Sequence, residues 1–249
     1  MIIIKSPEEI KKLKKACKIS ADVLQYAGEQ INAGMSTYEL DKLIYDFIVA
    51  AGAKPSFLGY GGFKGSACIS INDEVIHGIP SKKTIIRSGD IVSVDVGAFI
   101  EGYHGDNAYT FKVGSVSPVA EKLLRVTNEC LHLGIAAAKP GNRIGDIGYA
   151  VQKHAEDNGF HVVREYIGHG VGKALHEDPE VPNYGKSGRG VRLVPGMTIA
   201  IEPMINAGTK DVDFDEKDGW TVRTRDRALS AHYENTVAIT PDGPVFLTV

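Results

Sequence analysis

The chain has 249 residues, 43% hydrophobic and 24% charged, which is typical of a soluble globular protein. Its formal net charge of −3 gives no reason to expect a nucleic acid or an anionic membrane as partner. No apolar run approaches the roughly 18 residues of a membrane span, and the apolar segment at Met1–Lys5 is too short for the core of a signal peptide. The three cysteines show no CxxC spacing, which disfavours a disulfide framework. We therefore expect a cytoplasmic protein.

The first half of the chain is predicted to be two helices followed by strands. A capping box opens the first helix at Ser6, and apolar spacing carries this helix to about Ile31. A second helix begins at Ser36 or Thr37 and ends near Gly52. After a glycine-rich loop, period-2 patterns predict strands at 67–71, 90–98 and 106–113.

The same order of elements begins again near residue 117. A long helix is predicted over 120–138, and a second helix ends at Gly159. Strands follow at 160–166, in a segment that ends at Glu202, and at 232–240. Because no Pro- or Ser-rich linker separates the halves, we predict one α+β domain over residues 1–249, with internal halves of about 6–115 and 117–245.

Two segments that lie 107 residues apart share one pattern, a glycine followed by an apolar strand that carries an acid. Gly89 aligns with Gly196, and Asp95 aligns with Glu202. Strand alternation places Asp95 on the face opposite the valines at 92, 94 and 96. A buried acid is costly unless it is neutralised, so the matched pair predicts one shared site on a pseudo-symmetric fold.

A second pair of acids follows the same symmetry. His104–Asn107 resembles His232–Asn235, so each half contributes two acids from its strands. Four converging carboxylates repel one another and raise their own pKa values unless cations offset their charge. Two divalent ions would supply that charge, and His169, which is flanked by glycine on both sides, is the candidate for a fifth ligand.

The residues around His169 resemble the signature of the type I methionine aminopeptidases of metallopeptidase family M24. The segment Tyr166–Gly172 is followed by His176 and by Val181–Tyr184, as in that signature. The resemblance extends over nearly the whole chain and implies the pita-bread fold, in which two pseudo-symmetric halves surround a curved antiparallel sheet. The metal ligands that it implies are Asp95, Asp106, His169, Glu202 and Glu234.

The resemblance also implies an activity. A dinuclear metalloprotease of this kind removes the N-terminal methionine from nascent proteins and peptides, by attack of a metal-bridging hydroxide on the first peptide bond. Asp106 and Glu234 would bridge the two ions. Asp95 would chelate one ion, and His169 and Glu202 would hold the other. Glu202 would also pass a proton towards the leaving amine.

Two histidines match the non-ligand histidines of the family. His176 would stabilise the oxyanion of the tetrahedral intermediate, and His77 would contact the peptide nitrogen. The resemblance further implies an apolar pocket for the methionine side chain. The pocket residues that it assigns are Phe57, Tyr60, Phe63, Cys68 and Trp220.

The chain departs from its relatives at two positions. Phe57 is bulkier than the Cys of some relatives, and Asn235 follows the bridging acid where relatives usually have His. We expect the first difference to change the volume of the pocket and the second to tune metal affinity. Asn72 and Ser230 match positions that hold a monovalent cation in relatives.

Several properties stay open at the level of sequence. Carboxylate-rich ligation with one imidazole suits Co, Mn, Fe(II) or Zn. A proline-specific peptidase of the same fold is the main alternative, but such enzymes usually carry an extra N-terminal domain, and the fold here begins near Ser6. A metal-free peptide-binding module would have lost ligands, and this chain retains all five. We expect a monomer that associates at most transiently with the ribosome.

Overall fold

The computed structural model describes residues 1–249, and its helices lie where the sequence predicts them. Ser6 and Ser36 each accept a hydrogen bond from the backbone of the third helical residue, whose glutamate accepts one in return. No helix combines the length and hydropathy that crossing a membrane requires. The four helices, α1 to α4, are Pro7–Gln30, Thr37–Ala50, Pro118–Ala137 and Ile144–Asp157.

Nine of the fifteen strands form one antiparallel sheet, in the order β1-β4-β5-β14-β9-β7-β8, with β15 beside β14 and β2 beside β4. Two smaller sheets have the orders β13-β10-β6 and β11-β12-β3. In chain order, strands β1 to β15 are Lys54–Pro55, Ala67–Ile71, Glu74–Ile76, Ile91–Ile100, Tyr103–Lys112, His161–Val162, Gly168–Gly170, Glu177–Val181, Thr198–Ile201, Met204–Asn206, Val212–Phe214, Val222–Thr224, Ser230–His232, Glu234–Thr240 and Gly243–Phe246.

Two strand predictions were wrong in extent. The strand predicted at 160–166 ends at Val162, because its partner β10 is only three residues long and the chain then turns towards β7. The strand predicted at 232–240 is divided at Tyr233, since β13 pairs with β10 whereas β14 pairs with β5 and β9. The division lets the chain leave a small sheet and enter the large one immediately before Glu234.

Each helix pair covers one half of the large sheet. The valines at 92, 94 and 96 are fully buried in a cluster with residues of α1 and α2. In the second half, Ile199 and Ile201 are buried in a cluster with residues of α3 and α4. Because side chains alternate along a strand, the helices occupy one face, and Asp95 points to the other. The fold therefore leaves the opposite face of the sheet for the polar residues.

Gly105 lies directly against the backbone of α1. A Cβ at this position would lie 2.3 Å from the backbone nitrogen of Cys17 and 2.4 Å from the carbonyl carbon of Ala16. We expect Gly105→Ala to lower the free energy of unfolding by about 1–3 kcal/mol, measured by denaturant titration, because a helix backbone cannot rotate away. In the control variant Gly28→Ala the three atoms nearest to the new methyl all belong to the ring of Phe111, which is a side chain, so equal losses in both variants would contradict this explanation.

Candidate metal centre and active site

Five neighbouring strands each supply one of the predicted metal ligands. The strands are β4, β5, β14, β9 and β7, which are consecutive in the sheet. Asp95 lies on β4, Asp106 on β5 and Glu234 at the start of β14. Glu202 directly follows β9, and His169 is the central residue of β7. Residues separated by up to 139 positions in sequence are thus placed side by side across one sheet.

The strand register brings the carboxylates together. Asp95 and Glu234 lie opposite Ala108 from the two sides of β5, and Asp106 precedes Ala108 by two residues. Residues two apart on a strand share a face, so these carboxylates converge. Ligand atoms of Asp106, His169 and Glu234 all lie within 4.8 Å of one another, which is close enough to hold one ion.

His169 presents a lone pair to the acids. Its Nδ1 lies 2.9 Å from the carbonyl oxygen of Gly170. A carbonyl oxygen can only accept, so Nδ1 carries the proton in the neutral ring and Nε2 is left unprotonated. This Nε2 lies 3.8 Å from Oδ2 of Asp106 and 3.5 Å from Oε1 of Glu202. The imidazole is therefore in the tautomer that a metal ligand requires.

Burial raises the pKa of every carboxyl group in this cluster. For Asp106 the pKa rises to about 7, because desolvation outweighs a hydrogen bond from the backbone of Asn107. For Asp95, Glu202 and Glu234 the pKa also rises, first through desolvation and then through the charges of the neighbouring acids. Without a cation, the site therefore favours protonated acids.

The donor set fits divalent cations. Asp95 Oδ1, Asp106 Oδ1 and Glu234 Oε1 are buried and have no hydrogen-bond partner. Buried polar atoms without partners are rare in folded proteins and call for an ion or a water. Carboxylate oxygens with one imidazole nitrogen suit Mn, Fe(II), Co or Zn.

Two further histidines stand beside the cluster. The ring of His176 lies 4.2 Å from that of His169 between centroids, and its Nδ1 lies 2.8 Å from the hydroxyl of Tyr60. His77 has a φ of 60° and packs edge-on against Tyr166 and Trp220. Burial lowers the pKa of both imidazoles, in the case of His77 to about 4, so both are neutral at neutral pH.

A cavity of about 210 Å³ opens onto the acids and contains all five residues assigned to the methionine pocket. Phe63 and Trp220 meet edge to face, with 5.1 Å between ring centroids. Tyr60, at 46% exposure, is the outermost of the five. Four residues that line the cavity were not predicted from the sequence: Ile76, Tyr166, Ile167 and Leu175. Three of them stand next to predicted site histidines in the sequence, since Ile76 and Leu175 directly precede one and Ile167 lies two residues before another.

Sequence analysis also missed His232. Its side chain is 2% exposed, and its Nε2 lies 3.6 Å from Oε2 of Glu202. Burial lowers the pKa of this imidazole to about 3, so the ring is neutral. The available signal was the match between His104 and His232, each of which stands two residues before a strand acid.

The sequence matches the model of metallopeptidase family M24 over residues 11–241. It is 52% identical to the methionine aminopeptidase of Clostridium acetobutylicum, over 100% of this chain and 99% of the relative. It is 49% identical to methionine aminopeptidase 1 of Bacillus subtilis, over 100% of this chain and 99% of the relative. The chain belongs to metallopeptidase family M24.

Solved structures of family members show the same fold. The crystal structure of methionine aminopeptidase from Thermotoga maritima matches with a TM-score of 0.97 and 46% identity, over 100% of this chain and 99% of that chain. The prolidase of Pyrococcus furiosus matches with a TM-score of 0.80 and 28% identity, over 99% of this chain but 65% of that chain. The predicted α+β pita-bread fold and the resemblance to methionine aminopeptidases are thereby confirmed.

The structure shows the contacts of Asn235 and Phe57, the two residues that depart from the pattern of relatives. The side-chain amide of Asn235 donates to Asn107 Oδ1 at 3.0 Å and to Thr248 Oγ1 at 2.9 Å, so it ties together the strands of Asp106 and Glu234. Its contacts are with these strands, and any influence on metal affinity would be indirect. Phe57 is buried and lies in the cavity wall.

The two residues predicted to lie near a monovalent cation are adjacent in the structure. The backbone N–H of Ser230 donates to the carbonyl oxygen of Asn72 at 2.8 Å. Asn72 has a φ of 57°. Its side-chain amide donates a hydrogen bond to Asp90 Oδ1 and accepts one from the backbone N–H of Ile91. The bond therefore joins the loop after β2 to the first residue of β13.

Proposed function

We propose that the chain is a dinuclear methionine aminopeptidase, which removes the N-terminal methionine from peptides and nascent proteins. The observation that carries the proposal is an apolar cavity that ends at the carboxylate and imidazole cluster. A methionine side chain in this cavity would bring its own carbonyl carbon to the cluster. Curated relatives named methionine aminopeptidase, about half identical over the full chain, support the same assignment.

The five clustered residues would hold two divalent ions. Asp106 and Glu234 lie on adjacent central strands of the sheet, and the two oxygens of each carboxylate would allow each residue to serve both ions. Asp95 would complete one site, and His169 with Glu202 would complete the other. When bound, the ions supply positive charge that polarises the scissile carbonyl and acidifies a water near neutral pH.

Glu202 would accept a proton from the attacking water. Its side chain is 12% exposed and lies at the edge of the cavity, within reach of a bound peptide. Desolvation raises its pKa, as do the charges of Asp106 and Asp95, and a raised pKa suits a group that accepts a proton and later donates it to the leaving amine. The backbone carbonyl of Glu202 accepts a hydrogen bond from Asn183 at 2.9 Å, which fixes its position.

His176 and His77 would act on the substrate. If the hydroxyl of Tyr60 donates to Nδ1 of His176, then Nε2–H is free to donate to the developing oxyanion. His77, whose neutral ring packs edge-on against Tyr166 and Trp220, would contact the peptide nitrogen. We also propose that a monovalent cation lies near Asn72 and Ser230, where it would stabilise the junction between the loop after β2 and the start of β13.

Three tripeptides test this function. We expect metal-reconstituted protein to cleave Met-Ala-Ser, to leave N-acetyl-Met-Ala-Ser intact because its α-amino group is blocked, and to leave Ala-Pro-Ser intact because a small side chain leaves the apolar cavity unfilled. Release of free methionine is the readout. Cleavage of Ala-Pro-Ser would instead indicate a proline-specific peptidase. Binding of all three without cleavage, unchanged by a chelator, would indicate a binding module.

A further inference from the structure

We propose that His232 is a positioning residue, whose imidazole donates its Nε2–H to Glu202 and holds that carboxylate in one orientation. The inference rests on the proposed function of Glu202. His232 Nε2 is buried and has no other hydrogen-bond partner, and it lies 3.6 Å from Oε2 of Glu202. Leaving a buried donor without an acceptor is unfavourable, so contraction of this contact by a few tenths of an ångström is favourable.

The carboxylate of Glu202 lies between two imidazoles that have opposite roles. Its Oε1 faces Nε2 of His169, which is unprotonated because Nδ1 of that ring donates to a backbone carbonyl. Two lone pairs do not attract, so this side of the carboxylate is suited to share a cation with His169. Its Oε2 faces His232, and when Glu202 is ionised, as a metal ligand must be, a protonated Nε2 makes that contact favourable. The arrangement is that of a metal ligand and a donor that orients it.

The backbone of His232 is fixed by a buried hydroxyl pair on the neighbouring strands. Thr110 Oγ1 donates to the carbonyl oxygen of His232 at 2.7 Å and accepts from its N–H at 2.9 Å. Because that hydroxyl proton is already used, Ser93 must donate to Thr110, from which it lies 2.8 Å away. These contacts anchor the backbone of the last residue of β13 to β4 and β5, and so fix the point from which the imidazole extends towards Glu202.

The equivalent histidine of the first half points elsewhere. His104 Nδ1 lies 2.9 Å from Ser56 Oγ, and its ring packs on Phe99 with 4.6 Å between centroids. No carboxylate oxygen lies within 4.0 Å of its nitrogens, whereas His232 meets that distance to Glu202. Both halves therefore have a histidine two residues before a strand acid, but only the second half directs it into the acids. His104 provides a matched control.

The test compares divalent-metal binding in His232→Leu, His232→Gln and His104→Leu. Titration calorimetry with Mn²⁺ gives affinity and stoichiometry, and the visible spectrum of the Co²⁺ form reports the coordination environment. We expect His232→Leu to bind Mn²⁺ about 10–100-fold more weakly with unchanged stoichiometry, and its Co²⁺ spectrum to differ from that of the parent. Its kcat should fall by a larger factor than its KM rises. His232→Gln keeps an N–H donor and should stay within about threefold of the parent, as should His104→Leu.

Two results would overturn the inference. One is parental metal affinity and an unchanged Co²⁺ spectrum in His232→Leu, which would make the histidine a space-filling residue. The other is loss of one bound ion in both His232→Leu and His232→Gln, which would make it a ligand. If thermal unfolding shows that His232→Leu does not fold, His232→Asn replaces it, because its shorter amide cannot reach Glu202. Failure of the parent to cleave Met-Ala-Ser would instead overturn the proposed function and leave the metal comparison valid.

Discussion

The Asp106→Asn variant is expected to lose tight binding of divalent metal and to cleave Met-Ala-Ser on the order of a thousandfold more slowly. Asp106 is 3% exposed and lies at the centre of the cluster, between Asp95 and Glu234. An amide keeps the shape of the side chain but removes the negative charge that both ions would share. At the same time, metal-free Asp106→Asn is expected to be at least as stable as the metal-free parent above pH 7.

The direction of the stability change follows from the pKa of Asp106. Burial raises this pKa from 3.8 to about 7, so the folded protein binds a proton more tightly than the unfolded chain does. The stability that this proton contributes is complete below about pH 4 and is lost as the pH rises through about 7. The pKa values of Asp95, Glu202 and Glu234 are raised in the same direction, so they add to the loss. An amide at position 106 removes one contribution to this decline.

Denaturant titrations of chelator-treated parent and variant at several pH values between 5 and 8 measure how stability depends on pH. Calorimetry with Mn²⁺ measures the affinity and number of bound ions. The control is Asp41→Asn, since Asp41 is a half-buried acid outside the cluster that accepts hydrogen bonds from the N–H groups of Ser66 and Ala67 at 2.7 and 2.9 Å. This control should lose stability but keep metal affinity. Retention of two tightly bound ions by Asp106→Asn would contradict the bridging role.

The helices were predictable because their signals are local. The capping box predicted at Ser6 forms, and Ser36, one of the two caps predicted for the second helix, forms a capping box with Glu39. The strand acids were predictable for a related reason, since the repeat aligns Asp95 with Glu202 and alternation decides which face they share. The structure brings all five predicted ligands together on neighbouring strands, and their role as metal ligands stays a prediction.

The features that the sequence did not reveal depend on distant partners. The strand break at Tyr233 arises because β13 and β14 pair in different sheets, which local propensity does not encode. The contact between Tyr60 and His176 joins residues 116 positions apart. The backbone of His232 is held by Thr110, from which it is separated by 122 positions. Periodicity identifies the face of a strand, but the neighbour across the sheet is a property of the tertiary fold.

The His176→Ala variant is expected to keep its bound metal but to lose about 10²–10³-fold in kcat, because it removes the proposed donor to the developing oxyanion. His176 contacts the cluster through ring packing on His169, and no acid lies within ion-pair distance of it. Burial lowers its pKa, so the ring is a neutral donor at neutral pH, with no charge that would repel the cations. Steady-state kinetics on Met-Ala-Ser and metal analysis of the purified variant provide the measurements.

The surroundings of His176 explain why this donor is already in place before substrate binds. The following residue, Glu177, accepts from Lys5 Nζ at 2.5 Å in a nearly buried ion pair and from the backbone N–H of Ala174 at 3.2 Å, which fixes the loop. Tyr60 then orients the ring. Tyr60→Phe should therefore lose only about 3–10-fold in kcat, since the imidazole remains but its preferred tautomer is less favoured. A loss of metal in His176→Ala, or a larger loss of kcat in Tyr60→Phe than in His176→Ala, would contradict the assignment of His176 as the donor.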